Sequence, residues 1–175
     1  MDPIEGKLAA LIDGMEKKAG ALQEIRNITE NQGTVLGCGL PGDQILAFIV
    51  QMNREKQTHI QTVISCDSLF EVILREIGPE LDAKQDSYKA EISRLQEQIR
   101  LVMDLDVSIR VTEEKNNESM KLLNAENNKA GVSGAIKKGV RRQGEKKRAE
   151  KNVSLIQDEK RVIKAYEKNA KNFKG

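Results

Sequence analysis

Aromatic residues and proline are scarce in this sequence of 175 residues, which contains no Trp, two Tyr, three Phe and three Pro. A β-sandwich or β-barrel would therefore lack the aromatic side chains that strands favour. With so few prolines, long stretches of the chain are open to helix formation. The frequent Leu, Ile, Ala, Lys, Glu and Gln are good helix formers. The composition predicts an all-α fold, built either as a long antiparallel helical hairpin or as an elongated bundle of three to four helices.

Long apolar runs are also missing. The longest, 45–50, is far shorter than the roughly 18 residues that a membrane span needs. The first five residues have neither the basic start nor the apolar stretch of a secretory signal. We therefore expect a cytoplasmic protein without a membrane span, whose length suits one folding unit with a loosely attached tail.

Residues that commonly carry catalysis or bind metals are few. Cys38 and Cys66 are too few and too far apart for a metal knuckle or a disulfide framework. His59, the only histidine, lies seven residues from Cys66 and forms no triad with it, so we expect a packing or surface role. The Gly-rich segment 33–42 lacks the Gly-Lys-Ser/Thr ending of a P-loop and is interpreted as a connector. We predict no enzyme activity, no cofactor and no metal site, with Cys66 as a buried thiol.

Apolar residues at three- and four-residue spacing predict three helices, at about 3–32, 44–77 and 80–127, which together form a helical scaffold over 1–127. Asp2 followed by Pro3 favours the start of the first helix. The apolar stripe of the first helix comprises Ile4, Leu8, Leu11, Ile12, Met15, Ala19, Leu22, Ile25 and Ile28.

The apolar faces of the second and third helices also contain polar residues. Asp43 is a candidate N-cap of the second, and Gly78-Pro79 predicts its end, as a turn or as a kink. The second helix has the apolar residues Ile45, Ile49, Met52, Val63, Phe70, Ile73 and Ile77, with Lys56 and His59 on the same stripe. The seam of the third comprises Tyr88, Ile92, Leu95, Ile99, Val102, Ile109, Met120 and Leu123, with Asp106, Glu113, Asn116 and Asn127 at polar core positions.

The last third of the chain differs in charge. Between Lys129 and Lys151 there are nine Lys or Arg against two Glu, a local charge of +7 that leaves −5 for the rest. We interpret 128–148 as a Gly-rich basic linker and 149–175 as an amphipathic helix with a thin apolar stripe. Such a helix gains order by docking onto a partner, which makes this region the preferred partner-binding element. Nucleic-acid binding is the less favoured reading, because the basic cluster has no aromatic side chain to stack on bases.

The order of these parts resembles the FlgN-type flagellar export chaperones, which are small all-helical proteins. The first helix of that family is similar to MEKKAGALQEIRNITENQGTVL at 15–36, and the second is similar to 52–81 with its run SLFEVILREIGPEL. The long third helix is similar to YKAEISRLQEQIRLVMDLDVSIRVTEEKNN at 88–117. The tail VIKAYEKNAKNF at 162–173 resembles the end of the family, where a Tyr stands among Lys and Asn.

This resemblance implies a chaperone that binds hook-filament junction (hook-associated) proteins, keeps them unassembled and delivers them to the flagellar export gate. It places the client-binding residues in the C-terminal third and gives the tail tyrosine a role towards the export gate. The partner-binding residues so identified are Val153, Ile156, Ile163, Tyr166 and Phe173. Two alternatives remain: a coiled-coil protein that self-associates through the Tyr88–Leu123 seam, and a nucleic-acid-associated protein that acts through the basic cluster.

Overall fold

The computed structural model describes residues 2–130 of the chain. It contains three α-helices, α1 (Pro3–Leu36), α2 (Gly42–Ala83) and α3 (Lys89–Ala130), with a short 3-10 turn, Gln85–Tyr88, before α3. No strand occurs among residues 2–130. The predicted all-α class is confirmed, as a bundle of three helices.

Helix α1 starts as its sequence predicts. The Asp2 carboxylate accepts a hydrogen bond from the Ile4 amide at 3.1 Å, and Pro3 is the first helical residue. The whole predicted stripe is buried: Ile4, Leu8, Leu11, Ile12, Met15, Ala19, Leu22, Ile25 and Ile28. The helix runs on to Leu36, four residues past its predicted end, because Gln32 is buried and Gly33 is accommodated within the helix.

The connector between α1 and α2 is short and lies within the predicted Gly-rich segment. Gly39 has a φ of 74°, a left-handed conformation that favours glycine over other residues. Helix α2 then begins at Gly42 after Pro41, and no side chain caps it. The prediction of Asp43 as the N-cap is therefore wrong. Asp43 lies inside the first turn, where its negative charge still suits the positive end of the helix dipole.

The predicted end of the second helix at 77 is also wrong, and of the two alternatives at Gly78-Pro79 the turn does not occur. Helix α2 passes through both residues and ends at Ala83. Proline removes one helical hydrogen bond, but Ile77 and Leu81 on either side are both buried. Keeping those two side chains on one buried face outweighs the lost bond, and the chain reverses direction only around Lys84–Tyr88.

Helix α3 begins nine residues later than predicted, at Lys89, and extends to Ala130. Residues 128–130, which the sequence assigned to the linker, thus belong to the helix. The rest of the predicted linker and the predicted C-terminal helix lie outside the described residues. At about 1.5 Å per residue, α1 is about 50 Å long and α2 and α3 are each about 63 Å long.

Contacts between side chains of different helices show in which direction each helix runs. Lys18 in α1 contacts Asp67 in α2, and Gln32 contacts Asn53, so α1 and α2 are antiparallel. Asn116 in α3 contacts Thr29, while Tyr88 at the other end contacts Asp2. Helix α3 therefore runs parallel to α1 in an up–down–up arrangement. All these contacts fall within Met1–Glu126, which forms one compact unit.

The core lies along the shared axis of the three helices. From α2 and the segment after it, the buried apolar residues are Ile45, Ile49, Cys66, Phe70, Ile73, Ile77, Leu81 and Tyr88; from α3 they are Leu95, Val102, Leu105 and Ile109. Half of the predicted α3 seam is thus buried inside the chain, and Ile92, Ile99, Met120 and Leu123 are half-buried. On α2, Met52 and Val63 are half-buried as well.

Candidate functional site

The residues predicted to bind a partner are not among those that the structure describes. Val153, Ile156, Ile163, Tyr166 and Phe173, and the basic residues from Lys137 to Lys151, all lie outside 2–130. Their roles stay predictions. The bundle itself offers two features for function: polar and charged groups inside the core, and apolar side chains left on its surface.

Lys18 is the most deeply buried charged residue of the core, with 2% of its surface exposed. Its Nζ lies 2.6 Å from Oδ1 of Asp67 on α2. Burial lowers the pKa of the Lys18 ammonium group, while the neighbouring Asp67 carboxylate acts to raise it. No sequence pattern indicated this pair, because Lys18 and Asp67 are ordinary charged residues 49 positions apart.

Asp106 of α3 lies at the edge of the same region. Its carboxylate forms an ion pair with Arg110, one turn later, at 3.0 Å. Burial raises the pKa of Asp106, and the positive charges of Arg110 and Lys18 only partly oppose that rise. Asp106 was predicted as a polar residue at a core position, and the structure places it half-buried there.

The two polar residues predicted on the apolar stripe of α2, Lys56 and His59, differ in burial. Lys56 is buried, and its Nζ lies 3.0 Å from Oε1 of Glu113, one of the predicted polar core residues of α3. Cys66 is buried as predicted, and burial raises the pKa of its thiol. His59 is half-buried, between the packing and surface roles expected of it, and Cys38 is exposed.

Uncharged polar contacts occupy the part of the bundle near the end of α1. The Asn116 side-chain amide donates to the Thr29 carbonyl oxygen at 2.8 Å, and the Thr29 hydroxyl donates to the Ile25 carbonyl oxygen at 2.7 Å. A Cβ atom at Gly33 would lie 2.8 Å from the Asn116 Oδ1 atom, so glycine permits this close approach. Asn127, the last predicted polar core residue, is exposed.

At the opposite end of the bundle, Tyr88 closes α3 onto the start of α1. Its hydroxyl donates to Oδ2 of Asp2, the residue that also caps α1. The hydrogen bond from Tyr88 is the main cause that lowers the pKa of Asp2, and the bond from the Ile4 amide lowers it further. The bond to Asp2 also raises the pKa of Tyr88. Lys18, Lys56 and Asp2 thus each have a partner on another element of the bundle, which suits a role in fixing helix register.

Apolar side chains also remain on the outside of the bundle. The large apolar residues that are exposed are Leu40, Phe48, Ile64, Leu69, Val72, Leu101, Met103, Val107, Val111 and Leu122. Met103, Val107 and Val111 follow one another at four-residue steps and so share one face of α3. We call these three residues the α3 stripe. The seam predicted from the sequence follows the buried face of α3, and the four-residue spacing of the stripe was the signal that could have found it.

Two further properties bear on what the site can do. Among residues 2–130, no group of three or more His, Cys, Asp or Glu side chains is placed to hold a metal ion. Within the same range, none of the helices combines the length and the apolar character required to cross a membrane. Of the two features that the bundle offers, the exposed apolar side chains form a surface that suits contact with another helix.

No family model matches the chain, and no curated protein or solved structure is significantly similar to it.

Proposed function

We propose that this protein is a FlgN-type export chaperone, which acts in the cytoplasm. It binds hook-associated proteins, keeps them unassembled and delivers them to the flagellar export gate. In this proposal the three-helix bundle is the scaffold, and the C-terminal third binds the client through Val153, Ile156, Ile163 and Phe173, while Tyr166 acts towards the export gate.

The observation that carries the proposal is the match between helices and resembling segments. The segment 15–36 ends with α1 at Leu36, and 52–81 lies wholly within α2. The segment 88–117 starts at Tyr88 and continues along α3. Three of the four stretches on which the resemblance depends therefore follow α1, α2 and α3 in the order that the resemblance implies, and the fourth, 162–173, lies outside the described residues.

The packing of α3 separates this proposal from a coiled coil formed between copies along the Tyr88–Leu123 seam. Tyr88, Leu95, Val102 and Ile109 of that seam are buried within the chain. Those side chains are occupied by contacts inside the bundle, so copies of the chain cannot associate through them without opening it. No contact of the bundle favours the nucleic-acid alternative.

Client binding is tested by co-purification with a hook-associated protein. The triple variant Val153→Glu, Ile156→Glu, Ile163→Glu should lose the client, because three charges interrupt the apolar stripe. Its matched control is Ser154→Glu, Gln157→Glu, Asn169→Glu, which adds the same charge at polar positions and should keep the client. Equal recovery of the client with both variants would refute the assigned binding face, and no recovery with the unaltered chain would refute the function.

The role of Tyr166 is tested separately from binding. Tyr166→Ala should leave co-purification of the client nearly unchanged but reduce secretion of that client by flagellated cells. Tyr166→Phe distinguishes the ring from its hydroxyl. A Tyr166→Ala variant that supports normal secretion would remove the delivery role from this residue.

A further inference from the structure

The α3 stripe is an apolar face on the outside of the bundle. Met103, Val107 and Val111 are all exposed, Val107 by 52%, and none belongs to the buried seam of α3. Burying such a row of side chains against another surface releases water from apolar area, which favours association.

Charged residues bound the stripe at both ends. Arg100 precedes Met103 by three residues and Glu114 follows Val111 by three, so both continue the same face of the helix. Both side chains are exposed, and neither forms an ion pair with another residue of the described bundle. The stripe therefore carries a positive group at its N-terminal end and a negative group at its C-terminal end.

We propose that this face binds a second copy of the same chain, as an antiparallel helix pair centred on Val107. The spacing of the face, 100–103–107–111–114, is identical when read in either direction. In an antiparallel pair Val107 meets Val107, Met103 meets Val111, and Arg100 of each copy meets Glu114 of the other. A two-fold symmetric interface must be complementary to itself in this way.

The charge order decides between the two directions of pairing. A parallel pair would place Arg100 against Arg100 and Glu114 against Glu114, which repel each other. The antiparallel pair forms two attractive contacts instead. Three apolar side chains per copy form a small interface, so the dimer is weak and depends on concentration. It uses a face that the seam of the bundle leaves uncovered and does not require the bundle to open.

Sedimentation equilibrium of the full chain over a wide concentration range tests the proposal. Val107→Glu should weaken the dimer by at least about tenfold in dissociation constant, because symmetry places both charges at the centre of the interface. Val72→Glu is the matched control, since Val72 is 50% exposed on α2 and lies outside the stripe. Its dissociation constant should equal that of the unaltered chain.

Charge exchange and cross-linking add two readouts that do not depend on the stability of the bundle. Arg100→Glu and Glu114→Arg should each weaken the dimer, and the double variant should restore it. In a Cys38→Ser background, Val107→Cys should form a disulfide-linked dimer under mild oxidation, whereas Val72→Cys should not. A chain that stays monomeric at all concentrations, or a dimer unaffected by Val107→Glu, would overturn the proposal.

Discussion

At the scale of single residues, the bundle places full charges in its interior. Lys18 and Asp67 face each other at 2.6 Å in a region from which most water is excluded. The desolvation of two such charges offsets much of their attraction, so the intact pair adds little net stability. Its effect is on specificity, since either charge without the other is costly inside the core.

Breaking this pair should therefore cost more than removing it. We expect Lys18→Met to lower the free energy of unfolding by about 3 kcal/mol, because the Asp67 carboxylate loses its cation in a mostly buried position. The double variant Lys18→Met, Asp67→Leu should recover most of that loss. Urea unfolding of the two single variants and the double variant measures the cycle. Equal stability of Lys18→Met and the unaltered protein would contradict the buried pair.

The Asp2–Tyr88 bond makes a prediction about pH. The pKa of Asp2 in the folded protein lies below its ordinary value of 3.8, so the stability from this group is fully present above pH 3.8. This stability is lost as the pH falls through the lowered pKa, because the Asp2 carboxyl is then protonated in the folded protein as well as in the unfolded protein. Tyr88→Phe should raise the Asp2 pKa towards 3.8, as followed by carboxyl carbon NMR.

Unfolding measured at several pH values gives a second check on the same bond. The difference in stability between the unaltered protein and Tyr88→Phe should shrink as the solution is made more acidic. Asp2→Asn is the control, because asparagine retains the N-cap without a titrating group. A difference of constant size from neutral to strongly acidic pH would show that Asp2 does not titrate through its bond with Tyr88.

At the scale of elements, the glycines of α1 differ in their surroundings. A Cβ atom at Gly14 or Gly20 would meet nothing within 4 Å, whereas one at Gly33 would lie 2.8 Å from the Asn116 side chain. Gly14→Ala and Gly20→Ala should each raise the free energy of unfolding by about 0.5–1 kcal/mol, since alanine favours the helix more.

Gly33→Ala should gain less than the other two, or lose stability, because Asn116 must shift away from the Thr29 carbonyl oxygen. Thermal or urea unfolding of the three variants measures the contrast. In an Asn116→Ala background the Gly33→Ala gain should approach that at Gly14. If all three alanines stabilised the native chain equally, the close contact between α1 and α3 would be refuted.

The helices also show which features of the fold can be predicted from the sequence. Periodicity predicted nine of the ten buried apolar residues of α1, all except Ala21, because a helix buried on one long face repeats its apolar residues regularly. Local signals failed where tertiary packing overruled them. Asp43 is a good capping residue, but α2 already starts at Gly42, with Pro41 at the N-cap position. Pro79 is tolerated because Ile77 and Leu81 are buried in the core. The charged core pairs depend on contacts between distant residues, which no local pattern encodes.

At the scale of the whole molecule, charge is divided unevenly along the chain. Residues 1–130 carry 15 Lys and Arg against 22 Asp and Glu, a net charge of −7, while 131–175 carry 14 against 5, a net charge of +9. The predicted partner-binding residues all belong to the basic portion. Because they lie outside the described residues, their assignment depends on sequence alone. The α3 stripe belongs to the acidic portion and required the structure, because only burial distinguishes it from the seam.

A chain truncated after Ala130 should keep the fold of the bundle. Every buried apolar residue of the described core lies between Ile4 and Ile109, so we expect the free energy of unfolding to change by less than about 1 kcal/mol. Circular dichroism during urea unfolding measures this for both lengths of chain. A large loss of stability or cooperativity in the shorter chain would show that the bundle needs residues 131–175.

The paired side chains of α1 and α2 also limit how such a bundle can change in length during evolution. Lys18 and Gln32 are 14 residues apart, and so are their partners Asn53 and Asp67. Fourteen residues are two heptads, which return a supercoiled helix to the same face. An insertion of one residue in either helix would turn one of these pairs away from the core. Related bundles should therefore gain or lose length in whole heptads, and in neighbouring helices together.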